Sequence, residues 1–312
     1  MQMTPSQARV IAPILTAVAQ GYKNNEFIGI KIFPTVPVTQ RGGKILTFGK
    51  EGFMLYSAAR APGTNTKRVQ FGYAGAPYAL EDFRLEGTLP IENMQEANAV
   101  PGIDLGAMTV RKTQNIIGLR LEKAQADLAR NPANYDASNK TTLSGTSQWS
   151  DFSGTSDPIK DVEAAKEFVR KQTGKRPNVI LMGAQVFASL KQHPKIVDRM
   201  KYTGRDIATA EILASLFGVK EVVVGDCVYA DDAGNLIDVW GKDVVLAYTV
   251  TGSMTEMGEP TFGYTYQLEG YVNVEQPYMD RNANSWVYPV ADSVSPVIAG
   301  KAAGFLITNA VA

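Results

Sequence analysis

Between Thr39 and Pro90 the chain is rich in strand-forming residues yet holds too few apolar ones to build a core of its own. Two stretches, "GGKILTFGKEGFMLYSAAR" and "VQFGYAGAPYALEDFRLEG", carry Ile45, Phe48, Phe53, Tyr56, Val69, Phe71 and Tyr73. Glycine interrupts both repeatedly, and "APGTNT" between them is turn material. The pattern predicts one long hairpin over 39–90. A two-stranded ribbon is marginal alone in water, so this one requires a surface to lie on, which another subunit can supply. Its tip is basic, with Arg60, Lys67 and Arg68 and no acidic residue between Arg60 and Arg68. Glu81, Asp82 and Glu86 follow on the outgoing stretch. A catalytic carboxylate pair needs a rigid platform that a glycine-rich arm does not offer. Surface salt bridging, across a subunit boundary, is the reading for all three.

The strongest helix comes next. Pro101-Gly102 breaks the chain, Asp104 can cap, and the periodicity runs to Arg130 before Asn131-Pro132 stops it. Val110, Ile117, Leu121, Ala124 and Leu128 share one stripe, with Arg111, Lys112, Arg120, Glu122, Lys123 and Asp127 on other faces. At 1.5 Å per residue such a helix is about 40 Å long, a spine rather than part of a small domain. The polar stretch from Asn131 to Pro158 reads as an ordered loop or linker, anchored by Trp149 and Phe152, and marks a domain boundary.

Asp157-Pro158 opens a second domain with a cap and a favoured first-turn proline. Its first helix should bury Ile159, Val162, Ala165 and Val169 and end at Gly174. A strand from Asn178 to Met182, a turn at Gly183 and a helix from Ala184 to Gln192 follow. Helical segments from Ile196 and from Asp206 to Phe217 come next, the latter capped by Gly218. "KEVVVGD", "CVYADDAGNLIDVWG" and "KDVVLAYTV" read as short strands joined by hairpins, Gly258 to Asn273 as a strand pair, and "AGFLITNAV" as a last strand.

The candidate chemistry is thin. The single histidine, His193, precedes a proline at a helix end and reads as exposed, interacting with the helix dipole. No Gly-x-Ser-x-Gly elbow provides it with a nucleophile. Gly183 could present backbone donors to a phosphate, but neither a P-loop nor a dinucleotide fingerprint is present, and tight packing explains it better. Asp226, Asp231, Asp232 and Asp238 lack the spacing of a calcium loop and read as a solvated hairpin turn. Cys227, among valines, reads as a buried small hydrophobe. One cysteine and one histidine leave neither a disulfide framework nor the usual zinc sites. No catalytic residue, cofactor or metal is expected, so an enzyme is disfavoured.

Lys plus Arg and Asp plus Glu are both 31, and this balance argues against a dedicated nucleic-acid binder, which shows a basic excess. Neutrality also leaves association unopposed by self-repulsion. At the amino terminus "RVIAPILTAVAQ" has the outline of a signal peptide but a weak apolar segment, so an ordinary arm with Val10, Ile11, Ile14, Leu15 and Val18 is expected. No segment has the apolar length to span a bilayer, and a soluble chain without membrane contact is expected.

Arm, protruding hairpin, long helix, α/β domain and returning strands, in that order, resemble the major capsid proteins of tailed bacteriophages with the Hong Kong 97 fold. The stretches "GYKNNEFIG", "APGTNTKRVQFGY", "AVPGIDLG", "LRLEKAQADLA", "KRPNVILMGAQVF" and "VWGKDVVLAY" are similar to one branch of them. The resemblance covers nearly the whole chain and implies an α+β capsid fold. Residues 1–38 would be the N-terminal arm, 39–90 the extended β-hairpin loop and 91–156 the peripheral domain with its spine helix. The axial domain would cover 157–249, peripheral return strands 250–285, and a C-terminal segment rejoining the axial domain 286–312. It further implies self-assembly into hexamers and pentamers of an icosahedral shell around double-stranded DNA, bound without sequence specificity.

The site of action is then the virion capsid, assembled in the host bacterial cytoplasm. Some members begin with a scaffolding segment removed on maturation. Here the arm starts within a few residues of Met1, which implies a separate scaffolding protein or an already processed chain. A portal protein and a decoration or minor capsid protein are further implied partners. The alternatives are an encapsulin-like nanocompartment shell, marked by an inner cargo-peptide pocket, and an α/β hydrolase or transferase centred on Gly183 and His193.

Overall fold

The computed structural model describes residues 27–44, 55, 59, 65, 68, 77–98, 104–200, 208–250 and 260–312. In chain order these form β1 (Thr35–Val38), β2 (Gly42–Lys44), β3 (Pro77–Ala79), β4 (Glu81–Pro90), α1 (Ile91–Asn98) and α2 (Leu105–Arg130). Then come β5 (Lys140–Thr142), α3 (Pro158–Thr173), β6 (Val179–Gly183), α4 (Ala184–Gln192), α5 (Pro194–Met200) and α6 (Ala210–Phe217). The chain continues through β7 (Glu221–Gly225), β8 (Val228–Ala230), β9 (Leu236–Asp238), β10 (Val244–Ala247) and β11 (Gly263–Leu268). It closes with β12 (Asn273–Val274), β13 (Tyr278–Asp280), β14 (Ser285–Ile298) and β15 (Gly304–Thr308).

Local chemistry explains the helix ends. The Asp104 carboxylate accepts from Ala107 N at the start of α2, and that of Asp157 from Lys160 N at the start of α3. Thr209 caps α6, which starts at Ala210 rather than at the expected Asp206; Asp206 itself lies outside the described residues. Gly174 (φ 69°) and Gly218 (φ 61°) terminate α3 and α6 in the left-handed conformation.

Two sheets carry the architecture. The first, labelled the axial sheet after the expected domain it largely falls in, has five strands in the order β5-β15-β10-β6-β7. Its central strands β6 and β10 are buried throughout, and alternate residues serve two cores. Ile180, Met182, Val244 and Leu246 face Val162 and Val169 of α3, Val186 and Leu190 of α4, and Leu213 and Phe217 of α6. Val179, Leu181, Val245 and Ala247 face Ala126 and Ala129 of α2, Trp240, Phe262 and the arm residues Ile28, Ile32 and Phe33. Among β7 to β10, β8 and β9 alone pair as a hairpin. The expected hairpins around them give way to a crossover in which β6 separates β7, parallel to it, from β10, antiparallel. Strand β5 pairs β15, so the supposed linker from Asn131 to Pro158 is partly sheet, with Trp149 fully buried.

The second sheet is organised by β14, a 14-residue strand that sequence reading missed. Its residues Ser285–Val294 pair β4 along one edge, while β13, β12 and β11 follow one another along the other. Residues Gly263–Leu268 and Asn273–Val274 therefore do not pair with each other; both lie against β14, and β1 adds in parallel outside β11. Glu81–Pro90 likewise belongs to this sheet, and the described part of the ribbon is the pairing of β2 with β3.

Helix α2 joins the two halves, and not by one stripe. Its first half buries Val110, Thr113 and Ile117 against Leu89, Tyr288 and Val290. Its second half buries Glu122, Gln125, Ala126 and Ala129. At about 100° per residue Glu122 lies about 120° round the axis from Val110, so the buried face turns midway. Leu121, Ala124 and Leu128 are consequently only half-buried, and Glu122, expected on a solvent face, is 2% exposed.

The Glu122 carboxylate accepts from Ile28 N (3.1 Å), Gly29 N (2.9 Å) and Trp240 Nε1 (2.6 Å). Burial pushes its pKa up, while the bonds from Gly29, Trp240 and Ile28 oppose the shift. A Cβ on Gly29 would stand 2.0 Å from Gln125 Oε1, so a larger residue there would have to displace the buried Gln125 and Glu122 side-chain ends. Glu122→Ala would strand three buried donors at about 1–3 kcal/mol each. We expect denaturant unfolding of the purified chain to show a loss of at least about 3 kcal/mol. Glu122→Gln, whose amide oxygen can keep the bonds from Trp240 and Ile28 while its NH2 turns toward Gly29 N, should lose less. An Ala variant as stable as the parent would remove Glu122 from this role.

Candidate functional site

Gly183 and His193 lie at the two ends of α4, and the structure explains both without catalysis. A Cβ on Gly183 would fall 1.7 Å from the Gly241 carbonyl oxygen, so the glycine is there for backbone packing. His193 is not exposed: it is 2% accessible, with Phe152 edge-on to its ring at 5.8 Å. The residue following α4 is folded back under the loop that precedes α3, which a proline-flanked helix end in sequence does not disclose.

Two contacts set the ring's proton. Lys195 N donates to Nδ1 (3.3 Å), so Nε2 carries the hydrogen and faces Ser156 Oγ at 3.3 Å. A general base would need the reverse tautomer, with Nε2 free to take the serine proton and a carboxylate on Nδ1–H. The nearby Asp157 is instead used by Lys195 Nζ (3.0 Å) and as the cap of α3. Ser156 and His193 also line none of the neighbouring 480 Å³ cavity bounded by Asp157, Lys160, Glu163, Glu167 and Arg199.

The other candidates fall out similarly. Asp231 accepts from Ala233 N and Asn235 N, which is turn chemistry, and Cys227 is buried. Among the described residues no group of three His, Cys, Asp or Glu could hold a metal ion, and no helix is long and apolar enough to cross a membrane.

The surface candidates belong to the ribbon and to β4. Arg60 and Lys67 lie outside the described residues; Arg68 is exposed. On β4 the alternation of a strand puts Phe83, Gly87 and Leu89 toward α2 and Asp82, Arg84 and Glu86 on the opposite face. That face is charged and laced within the subunit. Asp82 pairs Arg41 at 2.5 Å, Arg84 pairs Glu275 at 2.8 Å, and Glu86 accepts from Tyr278 Oη at 3.2 Å. Hydrogen bonding to Asp82 raises the Arg41 pKa further. Glu81 is exposed. The three carboxylates thus share one strand but do not converge on a reacting atom.

Sequence reading also missed the ion pair that completes the joint between α2 and the axial domain. Arg130 Nε bonds Asp243 at 2.7 Å and its Nη1 bonds the Val239 carbonyl, while Asp243 accepts from Asn309 N. No spacing in the chain links positions so far apart. The described residues therefore present a two-sheet body, the short β2–β3 pair and charged faces, with no assembled catalytic centre among them.

That architecture matches known shells. The family model for phage major capsid protein E matches residues 133–281. The major capsid protein of Burkholderia phage BcepMu is 36% identical over 97% of this chain and 98% of its own length. That of Pseudomonas phage JBD67 is 30% identical, covering 97% of each. The chain belongs to the phage major capsid protein family. A phage-related protein from Bordetella bronchiseptica has 46% identity and a TM-score of 0.82, over 97% of this chain and 98% of that one. The Hong Kong 97-type capsid fold extends to the cyanophage P-SCSP1u capsid (TM-score 0.59, 11% identity, 99% and 92% covered). It extends also to a holo-encapsulin complex from Synechococcus elongatus (0.55, 12%, 92% and 88%).

The burial of His193 has a consequence for acid stability. Burial lowers its pKa, the Lys195 charge lowers it further, and Asp157 opposes. The neutral ring's contribution is complete above the ordinary histidine value of about 6.5 and is lost as pH falls through the depressed one. Protonating Nδ1 would also set it against the Lys195 N–H. Melting temperatures of the unassembled subunit between about pH 5 and 8 should fall on the acid side, and His193→Gln should flatten that slope. An unchanged slope would assign the acid response elsewhere.

Proposed function

We propose that this chain is the shell subunit of a tailed phage, arranged as hexamers and pentamers of an icosahedral capsid that encloses double-stranded DNA, and that it catalyses nothing. Family membership along nearly the whole chain carries the reading. The absence of a converging nucleophile and base around His193 supports its non-catalytic half. In this reading the residue ranges 1–38, 39–90, 91–156, 157–249, 250–285 and 286–312 are arm, extended loop, peripheral domain, axial domain, return strands and rejoining segment, except that β4 and β14 pair in the second sheet and β5 in the axial one. A separate scaffolding protein, a portal protein and a decoration or minor capsid protein are its assembly partners, and assembly occurs in the host cytoplasm. The encapsulin alternative shares the fold, at 12% identity for the Synechococcus elongatus protein against 36% for the BcepMu capsid protein. Electron microscopy of the purified protein tests the shell directly: closed particles are expected.

The basic tip offers a sharper test. Arg60, Lys67 and Arg68 at the end of a ribbon without its own core suit a neighbour's carboxylates or carbonyls. Each exposed pair contributes only about 0–1 kcal/mol, but a closed shell repeats the contact in every subunit. Replacing all three with glutamate should leave the circular dichroism of the subunit unchanged while sedimentation shows shell formation blocked or misdirected. Normal shells from the triple variant would dismiss the tip as a determinant of assembly.

A further inference from the structure

The described end of the arm sets a direction along α2. Ile28 and Gly29 are held at Glu122, while Phe27 lies over Gly118, where an added Cβ would come 2.6 Å from its ring. Going back along the arm from Gly29 to Phe27 therefore moves one turn toward the start of the helix. Ahead on that course is an open concavity of about 540 Å³ lined by Met108, Arg111, Lys112, Asn115 and Ile116. Met108 is 44% and Ile116 56% exposed. At about 100° per residue, Met108 and Asn115 lie within about 40° of Glu122 round the axis. Ile116 lies about 120° round from Glu122, so the open groove begins on the face that Phe27–Phe33 and the axial core cover further along and wraps round its edge.

The chain that precedes Phe27 is 26 residues long and fits this surface in order and reach. The polar stretch Gly21–Glu26 spans at most about 20 Å when extended. The helix rises only about 15 Å from Gly118 back to Met108. The apolar residues Val10, Ile11, Ile14, Leu15 and Val18 can therefore be delivered to the groove. We propose that the segment Val10–Val18 docks on its own subunit's α2, with its apolar side chains over Met108 and Ile116, and so extends the arm interface along the length of the helix. Burying two exposed apolar side chains against several others is the driving term. The basic rim of Arg111 and Lys112 makes a polyanion the competing occupant, but it leaves Met108 and Ile116 without a purpose.

Thiol labelling tests this on full-length subunits before assembly. In Ile116→Cys, with Cys227 buried as a slow background, the introduced thiol should react with a maleimide about tenfold more slowly than when Ile14→Asp and Leu15→Asp are added. The difference should persist on serial dilution. Met108→Cys provides a second reporter, and circular dichroism checks that each variant is folded. Equal rates with and without the two aspartates would overturn the proposal. So would protection that disappears on dilution, which would place a neighbour's segment in the groove, or protection that appears only when a DNA duplex is added.

Discussion

One buried carboxylate holds three parts of this subunit in register. Glu122 is reached by the arm through Ile28 N and Gly29 N, by the axial domain through Trp240 Nε1, and stands itself on the spine helix α2. A charge this deep is costly unless every lone pair is used, and here burial and hydrogen bonding oppose each other in its pKa. Because the donors come from segments separated by more than ninety residues, the carboxylate is satisfied only in the assembled tertiary arrangement. Gln125, one turn further, repeats the device through Thr265 Oγ1, which in turn donates to the Phe33 carbonyl. Arg130 ends it on Asp243. Successive turns of one helix thus fasten arm, β11 and axial loop.

This explains why α2 can serve two sheets. A helix that packs one face against one sheet needs a single apolar stripe. Here the first half presents Val110 and Ile117 to the β4–β14 layer. The second half presents Ala126 and Ala129, small enough for Phe262 and the arm to approach, to the back of the axial sheet. The turn between faces falls near Gly118, where Phe27 crosses. The axial sheet is accordingly covered on both sides, by α3, α4 and α6 on one and by α2 with the arm on the other. That coverage is why β6 and β10 are buried at every position.

Much of the stretch from Asp157 to Gly218 was legible because its signals are local. Asp157-Pro158, Gly174 and Gly218 punctuate helices, the apolar run at Val179–Met182 is a buried strand, and α4 has the expected bounds. Strand β14 was illegible because Pro289, Pro296, Asp292 and three serines interrupt it, all of which argue against a sheet interior. The structure accommodates them singly. The Pro289 carbonyl accepts from Glu275 N, so the side on which proline lacks a hydrogen faces away from β4, and the ladder there is undisturbed. Asp292 is buried beside Gln267, which donates to it. The joint at Glu122 failed for a related reason: a glutamate among Leu121, Lys123 and Ala124 reads as solvated, and its donors lie elsewhere in the chain. The His193 environment was hidden the same way, since Ser156 and Phe152 approach it only in three dimensions. For the site residues, the sequence placed Glu81, Asp82 and Glu86 near one another, but strand alternation and the partners Arg41 and Tyr278 are tertiary facts.

The electrostatic contacts divide into two populations with different sensitivities. Glu122 with its three donors and Lys166 with the Phe217 carbonyl are buried, Arg130 with Asp243 is partly so, and together they fix the fold. Lys31–Glu221, Arg41–Asp82, Arg84–Glu275 and Glu167–Arg170 lie at the surface, where each is worth little and salt screens it. Ionic strength therefore acts weakly on the first set and strongly on the second. A subunit built this way can keep its fold through changes in salt that loosen or tighten contacts made by its charged exterior. With 31 basic and 31 acidic residues there is no net charge to drive copies apart, so association is governed by where charges sit rather than by how many there are. Fold and assembly then answer to separate physical controls, as a subunit that must first fold and then close a shell requires.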